Sequence, residues 1–304
     1  MQGLPSNTPT WVPLHDVKGG SFHNPTTIVV SSGVAGSWAV GAEILITSHT
    51  REWDQQTTRT ITAVRTATDA FVELDLDAPI TRPTTAVESS DFAVEVALLS
   101  RNIVLRADAG ADVGGHLEFR RTTASDQLLD GVDIQHFGQP GRLGRYPIHT
   151  HFCGSLDGSI ISRNTVRYSR QRCIVVHGTD DLVVRENVAY DTTGHCFMTE
   201  DGIETGNYFI SNLGARTSAA TVVLPDNTDD EPATFWIPNP TNSFVGNVAA
   251  GSQDSGFWFE AQIRGSRAHL FSHLNPINDP LTAFDNNVAH SNGARLVSSE
   301  RSVV

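Results

Sequence analysis

A spacing of 23 residues recurs in the second half of the chain and constrains its fold more than any other feature. Three pairs of residues have this spacing: Asn164 and Asn187, Cys173 and Cys196, and His177 and Glu200. The tripeptide Asn-Val-Ala recurs at Asn187, Asn247 and Asn287, and Asn212-Leu-Gly resembles it. A fixed period of this length is typical of structural repeats that stack on one another.

The repeat predicts a parallel β-helix rather than another stacked architecture. Asparagines at the corner of each turn can hydrogen-bond to one another along the stack. Leucine-rich repeats have a similar period, but the repeated stretch contains few leucines. We therefore expect a right-handed parallel β-helix, in which the acidic, proline-containing segment Val223–Ala233 forms a loop because it is too polar for a strand.

The residues before the repeat are also typical of strands. Five segments are rich in β-branched residues and bounded by Gly, Pro, Asp or Ser: Thr26–Val30, Ala42–Ser48, Arg59–Val64, Phe71–Asp77 and Val94–Asp108. No long segment has convincing helical periodicity. The expected fold class is all-β, with a small β-rich domain over residues 10–108 and β-helix repeats over residues 109–304.

The charge and hydropathy of the chain exclude some classes of partner. The 304 residues carry a formal net charge of −13, whereas nucleic-acid-binding proteins need clustered Lys and Arg. No stretch approaches the roughly 18 consecutive apolar residues of a membrane span. The first ten residues lack the basic and apolar regions of a signal peptide. We expect no nucleic-acid partner, no membrane insertion and no signal peptide in this sequence.

The three cysteines are too few for a disulfide framework. Cys153, Cys173 and Cys196 are the only cysteines, and no CxxC metal motif occurs. We expect Cys173 and Cys196 to behave as small, buried apolar residues.

The segment Gly144–His151, with the sequence GRYPIHTH, places two histidines two residues apart on a predicted strand. Side chains at positions i and i+2 of a strand lie on the same face, so His149 and His151 should point the same way. The 23-residue register then stacks His151, His177 and Glu200 on successive turns, about 4.8 Å apart.

Such a cluster suits acid–base chemistry on a polysaccharide. A hydrolase needs a protonated acid and a second carboxylate, for which Glu200, Asp201 and Glu204 are candidates. A uronide lyase needs a base and a cation that neutralises the sugar carboxylate. The predicted catalytic residues are His149, His151, His177, His195, Glu200 and Asp201, and the predicted substrate-binding residues are Arg145, Trp236, Asn239 and Trp258.

A metal is the second interpretation of the histidines. Imidazoles and a carboxylate suit Zn²⁺ or another transition metal, and His149, His151 and His177 are the candidate ligands. The alternative is that these histidines are stacked, hydrogen-bonded structural residues. The two tryptophans likewise fit either a sugar-stacking surface or the core.

An ordered set of motifs resembles a known family. In chain order they are SRNIVL, GGHLEF, IQHFGQ, GRYPIHTH, HGTDDLVV, GHCFMTEDG, TFWIPNP, GFWF and NNVAHSN. Together they resemble the family of the cell-migration-inducing hyaluronan-binding protein, which includes a membrane-anchored hyaluronidase and fibrocystin-like proteins. The segment GSWAVGAEILITS is similar to the family's amino-terminal eight-glycine domain. The resemblance extends from about Trp11 to Asn292.

The resemblance implies a right-handed parallel β-helix and endolytic depolymerisation of hyaluronan outside the cell. The resemblance adds calcium, on which some members are reported to depend, to the zinc that the histidines suggest, so the possible cofactor is a divalent metal, calcium or zinc. By motif, it carries functional roles to Arg145, His149, His151, His177, His195, Glu200 and Asp201. The function expected is endo-hydrolysis of a hyaluronan-like acidic glycan by an extracellular or secreted protein. A non-catalytic glycan-binding or adhesion module and a metal-dependent polysaccharide lyase are the alternatives.

Overall fold

The computed structural model describes residues 4, 7–81, 94–121, 126–225, 227–264, 268–271 and 273–300. Within those ranges the chain is nearly all strand, and its only helices are two short 3₁₀ segments, Ser32–Val34 and Ala268–Phe271. No helix in the described part of the chain is long and apolar enough to cross a membrane. The predicted all-β class is confirmed.

The amino-terminal part is a closed antiparallel barrel with strand order β1-β2-β5-β4-β3-β6. Its strands are β1 (Trp11–Lys18), β2 (Thr27–Ser31), β3 (Glu43–Ile46), β4 (Thr57–Thr66), β5 (Phe71–Leu76) and β6 (Glu95–Leu98). Branched aliphatic side chains such as Ile28, Ile44 and Leu74 fill its interior and are fully buried. Closure of the sheet leaves the barrel without exposed strand edges.

The remaining strands form three parallel sheets of a β-helix, as the repeat predicted. The barrel-facing sheet contains β7 (Ile103–Arg106), β10 (Val132–Gln135), β13 (Thr165–Arg167), β16 (Val188–Thr193), β19 (Leu213–Ser218), β22 (Val248–Ser252) and β25 (Val288–His290). The histidine sheet contains β8 (Leu117–Phe119), β11 (Ile148–Ser155), β14 (Ile174–Asp180), β17 (Phe197–Thr199), β20 (Ala233–Ile237), β23 (Ser255–Glu260) and β26 (Arg295–Glu300). The third sheet contains β9 (Leu128–Asp130), β12 (Ile160–Ser162), β15 (Val183–Arg185), β18 (Tyr208–Ile210), β21 (Ser243–Val245) and β24 (Ala283–Asp285).

A ladder of asparagines fixes one corner of the helix. Its members are Asn164, Asn187, Asn212, Asn247 and Asn287. Each side-chain amide donates to the Oδ1 atom of the next asparagine at 3.0 Å, and each backbone N–H donates to the same oxygen. The predicted stacking of asparagines is confirmed, and the ladder satisfies buried backbone groups at every turn.

Apolar side chains stack in the same register inside the helix. Phe197 lies on Phe235 at 4.8 Å between ring centroids, and Phe235 lies on Phe257 at 4.7 Å. Ile148 and Ile174 are also buried in this core. Since side chains alternate along a strand, this inward set turns the neighbouring residues of the histidine sheet outward.

The barrel packs on the barrel-facing sheet. Trp11 of β1 donates its indole N–H to the carbonyl of Ser211 at 2.7 Å, and Glu95 of β6 pairs with His290 of β25 at 3.0 Å. Leu45 and Val188 belong to one buried apolar cluster that joins the two parts. Strand β7, which lies within the predicted first domain, already pairs with β10 of the helix.

The expectation for two cysteines was wrong, because Cys173 and Cys196 form a disulfide. They are buried, as expected, but the 23-residue register also places them beside each other on adjacent turns. Cys153 is free and buried.

We expect the double variant Cys173→Ser/Cys196→Ser to lose about 3 kcal/mol of unfolding free energy, because the disulfide restricts the unfolded chain. Urea denaturation under non-reducing conditions measures this loss, with Cys153→Ser as the control for a buried thiol. Three titratable thiols in the denatured wild-type protein would contradict the pairing.

Candidate active site

The outer face of the histidine sheet gathers three histidines. His149 and His151 point outward from β11, and His151 is paired with His177 of β14 in the parallel register. The predicted stacking of His151 on His177 is confirmed. We call His149, His151 and His177 the histidine cluster.

Short distances join the cluster to two carboxylates that follow β17. His177 Nδ1 lies 3.4 Å from His149 Nε2 and 3.2 Å from His151 Nδ1. Glu200 Oε2 lies 3.2 Å from His177 Nδ1, and Asp201 Oδ2 lies 3.0 Å from His177 Nε2. The structure therefore brings together five of the six predicted catalytic residues.

Hydrogen bonds orient two of the imidazoles. His149 donates from Nδ1 to the carbonyl of Gly144 at 2.9 Å, and His177 donates from Nε2 to Asp201. Burial lowers the pKa of His149 to about 4. Burial alone would also lower the pKa of His177, but the bond to Asp201 and the charge of Glu200 raise it above its usual value.

A buried arginine holds Glu200. Arg172 donates to Glu200 Oε1 at 2.8 Å, and the Tyr146 hydroxyl donates to the same oxygen at 2.5 Å. On its other side Arg172 pairs with Asp229 at 2.9 Å. Burial alone would raise the pKa of Glu200, but Arg172, together with His177, keeps it below its usual value. Glu200 is therefore an ionised carboxylate at neutral pH.

Phe152 covers one side of the cluster. Its ring centroid lies 4.3 Å from that of His177. A Cβ atom at Gly178 would lie 2.5 Å from the Phe152 ring, and Gly178 has a φ of +55°. Glycine at this position is therefore required for the close approach of the ring.

Glu204, another carboxylate considered from the sequence, fixes the loop that carries Asp201. It is fully buried and accepts hydrogen bonds from the backbone N–H groups of Gly178 at 2.8 Å and Gly202 at 2.9 Å. Burial raises its pKa to about 7, although the hydrogen bond from the Gly178 amide acts in the opposite direction. Its contacts are those of a residue that positions the loop.

Arg145 lies at the rim of the cluster. Its guanidinium contacts His116 at 2.7 Å and Glu118 at 3.3 Å, and 45% of its side chain is exposed. Glu118 of β8 is paired with His149 in the parallel register. The exposed cation therefore lies one turn from the histidines, where an anionic ligand can reach it.

Four predicted site residues are buried away from the surface of the histidine cluster, where the sequence analysis expected them to take part in catalysis or to contact substrate. His195 is fully buried and accepts a hydrogen bond from the Ala233 N–H at 3.0 Å. Trp236 and Trp258 are 1% and 2% exposed and pack with Met198 in an apolar cluster. Asn239 is buried and donates to the Gly202 carbonyl. These side chains cannot stack on or bond a sugar because the protein already encloses them.

Sequence reasoning missed the residues that support Glu200. Tyr146 lies inside the GRYPIHTH segment, so its position beside the histidines could have been predicted. Arg172 directly precedes Cys173 of the repeat, but nothing in the sequence around it distinguishes this buried arginine from an exposed one. Asp229 belongs to the loop Val223–Ala233, and nothing in its local sequence indicates that it is buried against Arg172.

The three histidines are also a candidate group of metal ligands. One ligand atom from each of them lies within 4.8 Å of the others. Neutral imidazole nitrogens are common ligands of transition metals, which they bind at about 2.0 to 2.1 Å.

Comparison with known proteins identifies the β-helix. Residues 112–296 match the model of a family described as the CEMIP β-helix. The chain is 33% identical over 251 residues to human cell surface hyaluronidase CEMIP2, an alignment that covers 68% of this chain and 18% of that protein.

Other relatives cover more of the chain. Communication mutant protein F of Dictyostelium discoideum is 30% identical over 309 residues, covering 91% of this chain and 27% of the relative. Fibrocystin-L of Mus musculus is 30% identical over 342 residues, covering 96% of this chain and 8% of the relative. The chain thus spans less than a third of the length of each relative. It belongs to the CEMIP β-helix family.

Proposed function

We propose that this protein binds and depolymerises an acidic, hyaluronan-like polysaccharide at the histidine cluster. The observation that carries the proposal is the convergence of three imidazoles, Glu200 and Asp201 on the outer face of one sheet. A relative over the same region is named a cell surface hyaluronidase, and another is named hyaluronan-binding. An open β-helix face suits an extended polymer.

The local charge supports an anionic substrate despite the net charge of −13. Arg145 is nearly half exposed, and its only ion pair among the described residues is a 3.3 Å contact with Glu118. A planar guanidinium can contact a sugar carboxylate through two hydrogen bonds. Arg145 would hold the uronate beside the cluster.

In a hydrolytic reaction, Asp201 is our candidate for proton transfer. Glu200 is 8% exposed and is ion-paired with Arg172, so it acts through its negative charge. Asp201 is more accessible, at 14% of its side chain, and it bonds to His177. The histidines then position the substrate or hold a metal.

Elimination is the second candidate reaction, and the environment of Glu200 favours it. Hydrolysis uses two available carboxyl groups, and Tyr146 and Arg172 already occupy one oxygen of Glu200. Elimination needs a base and a cation on the uronate, for which a cluster histidine that is not bound to a metal and Arg145 are the candidates.

An extracellular or cell-surface location fits this function. The disulfide Cys173–Cys196 is typical of proteins that fold in an oxidising compartment. A relative's name also places that protein at the cell surface.

We expect wild-type protein to shorten hyaluronan, and His151→Ala to lose at least about 100-fold of that activity because it removes a cluster imidazole. Size-exclusion chromatography of hyaluronan, chondroitin and a uronate polymer measures chain length, with and without a chelator. His23→Ala, an exposed histidine of the barrel, is the matched control. Ultraviolet absorption of an unsaturated uronide separates elimination from hydrolysis.

Intact polymers after incubation in metal-supplemented buffer would contradict depolymerisation. If hyaluronan then still binds and binding depends on Arg145, the protein is a glycan-binding module instead.

A further inference from the structure

When both are neutral, His149 and His177 of the histidine cluster present lone pairs to each other. The carbonyl of Gly144 accepts the proton on His149 Nδ1, and Asp201 accepts the proton on His177 Nε2. A neutral imidazole carries one proton, so His149 Nε2 and His177 Nδ1 are unprotonated in that state. These atoms lie 3.4 Å apart, and His151 Nδ1 lies 3.2 Å from His177 Nδ1. A cation between them converts this repulsion into attraction.

A carboxylate oxygen points at the same position. Glu200 is more than nine-tenths buried, and Tyr146 and Arg172 hold only its Oε1 atom. Within the described residues, its Oε2 atom is buried without a hydrogen-bond partner. This oxygen lies 3.2 Å from His177 Nδ1 and 3.8 Å from His149 Nε2. Such a buried carboxylate oxygen is costly unless a cation lies beside it, either a protonated His177 or a bound metal ion.

We propose that His149 Nε2, His151 Nδ1, His177 Nδ1 and Glu200 Oε2 bind one first-row transition metal ion, represented by Zn²⁺. Tetrahedral bonds of about 2.0 to 2.1 Å separate neighbouring ligand atoms by about 3.3 to 3.4 Å. Four of the six separations among these atoms, 3.2, 3.2, 3.4 and 3.8 Å, lie close to that value. One ligand atom from each histidine lies within 4.8 Å of the others, so the side chains must move closer together to ligate the ion.

The ligand chemistry selects zinc rather than calcium, the other metal expected from the sequence. Calcium takes six to eight oxygen ligands, whereas this site offers three nitrogens and one oxygen. Imidazole-rich sites prefer zinc and its neighbours in the first transition row. The ring nitrogen that does not face the metal position is hydrogen-bonded in two of the histidines, to Gly144 in His149 and to Asp201 in His177. Such hydrogen bonds orient metal ligands.

The metal site goes beyond the proposed function, and its test does not require activity. Protein without an affinity tag is dialysed against a chelator and titrated with zinc chloride by isothermal titration calorimetry. Cobalt(II) titration, followed by visible absorption, reports the coordination directly. We expect about one zinc per chain in wild type and in the control His23→Ala.

Three variants test the ligand assignment. His151→Ala and Glu200→Gln each remove one ligand, and we expect zinc affinity to fall by more than about 100-fold. Asp201→Asn removes no ligand but changes the hydrogen-bond partner of His177, so we expect zinc affinity to fall by about 10- to 100-fold. Zinc should raise the thermal unfolding midpoint of wild type, and raise it less in the ligand variants. A cooperative thermal unfolding transition of each metal-free variant shows that the variant is folded.

Absence of saturable zinc binding by wild type would overturn the inference, as would equal affinity in folded His151→Ala. Calcium binding that depends on these residues in place of zinc would also overturn it. Zinc binding by a protein that leaves every polymer intact supports the metal site and contradicts only the proposed function. Cleavage that persists without zinc binding contradicts only the metal site.

Discussion

Replacing Arg172 with methionine should destabilise the protein by about 3 to 5 kcal/mol, the cost of removing one partner from a buried charge network. Arg172 is fully buried, and it bonds Glu200 at 2.8 Å and Asp229 at 2.9 Å. Methionine fills much of the same volume but leaves both carboxylates without their cation. Urea denaturation at neutral pH measures the loss.

Arg216→Met is the control for this prediction. Arg216 is 39% exposed and lies 3.6 Å from Asp191, so its loss should cost less than about 1 kcal/mol. Equal destabilisation of the two variants would contradict a buried network around Glu200.

The ion pair between Arg172 and Asp229 also makes the free energy of unfolding depend on pH. Burial alone would raise the pKa of Asp229, but Arg172 lowers it to about 2. Because the folded-state pKa lies below the unfolded value, this carboxylate stabilises the folded state above about pH 4 and loses that effect as the pH falls towards 2. Arg172→Met should lack this part of the acid dependence.

Replacing Asn212 with alanine should cost about 3 to 5 kcal/mol, because it breaks the asparagine ladder in the middle. Asn212 donates to the carbonyl of Val184 and to Asn247, and it accepts two hydrogen bonds from Asn187. Alanine leaves several buried polar groups on two neighbouring turns without partners. Urea denaturation measures the effect.

Asn24→Ala is the matched control for the ladder. Asn24 is exposed and makes a side-chain contact of 3.4 Å with Ser21, so we expect a change within about 0.5 kcal/mol. A similarly small change in Asn212→Ala would show that the ladder does not stabilise the helix.

The periodic part of this structure could be predicted from the sequence because stacking requires like residues at a fixed spacing. Asn164 and Asn187 occupy equivalent corners, and His151 lies directly beside His177. The disulfide obeys the same spacing. Its omission was an error of interpretation rather than a lack of signal.

The surroundings of the cluster could not be predicted in the same way, because loops of unequal length build them. The described residues between 223 and 232, which exclude residue 226, form no strand or helix, as the polarity of the segment indicated, and Ala233 begins β20. The segment nevertheless supplies Leu224, which packs with Trp236 and Trp258, and Asp229, which pairs with Arg172. The tryptophans are enclosed for this reason, although their strands turn them outward.

The most direct test of the account is the rate at which hyaluronan acquires new chain ends in the presence of wild type and of His177→Ala. His177 contacts both other histidines and both carboxylates, so its removal should lower the rate by at least about 100-fold. The comparison uses zinc-supplemented buffer and a temperature at which both proteins are folded. Equal rates in the two proteins, or no new chain ends with wild type, would contradict an active site at the histidine cluster.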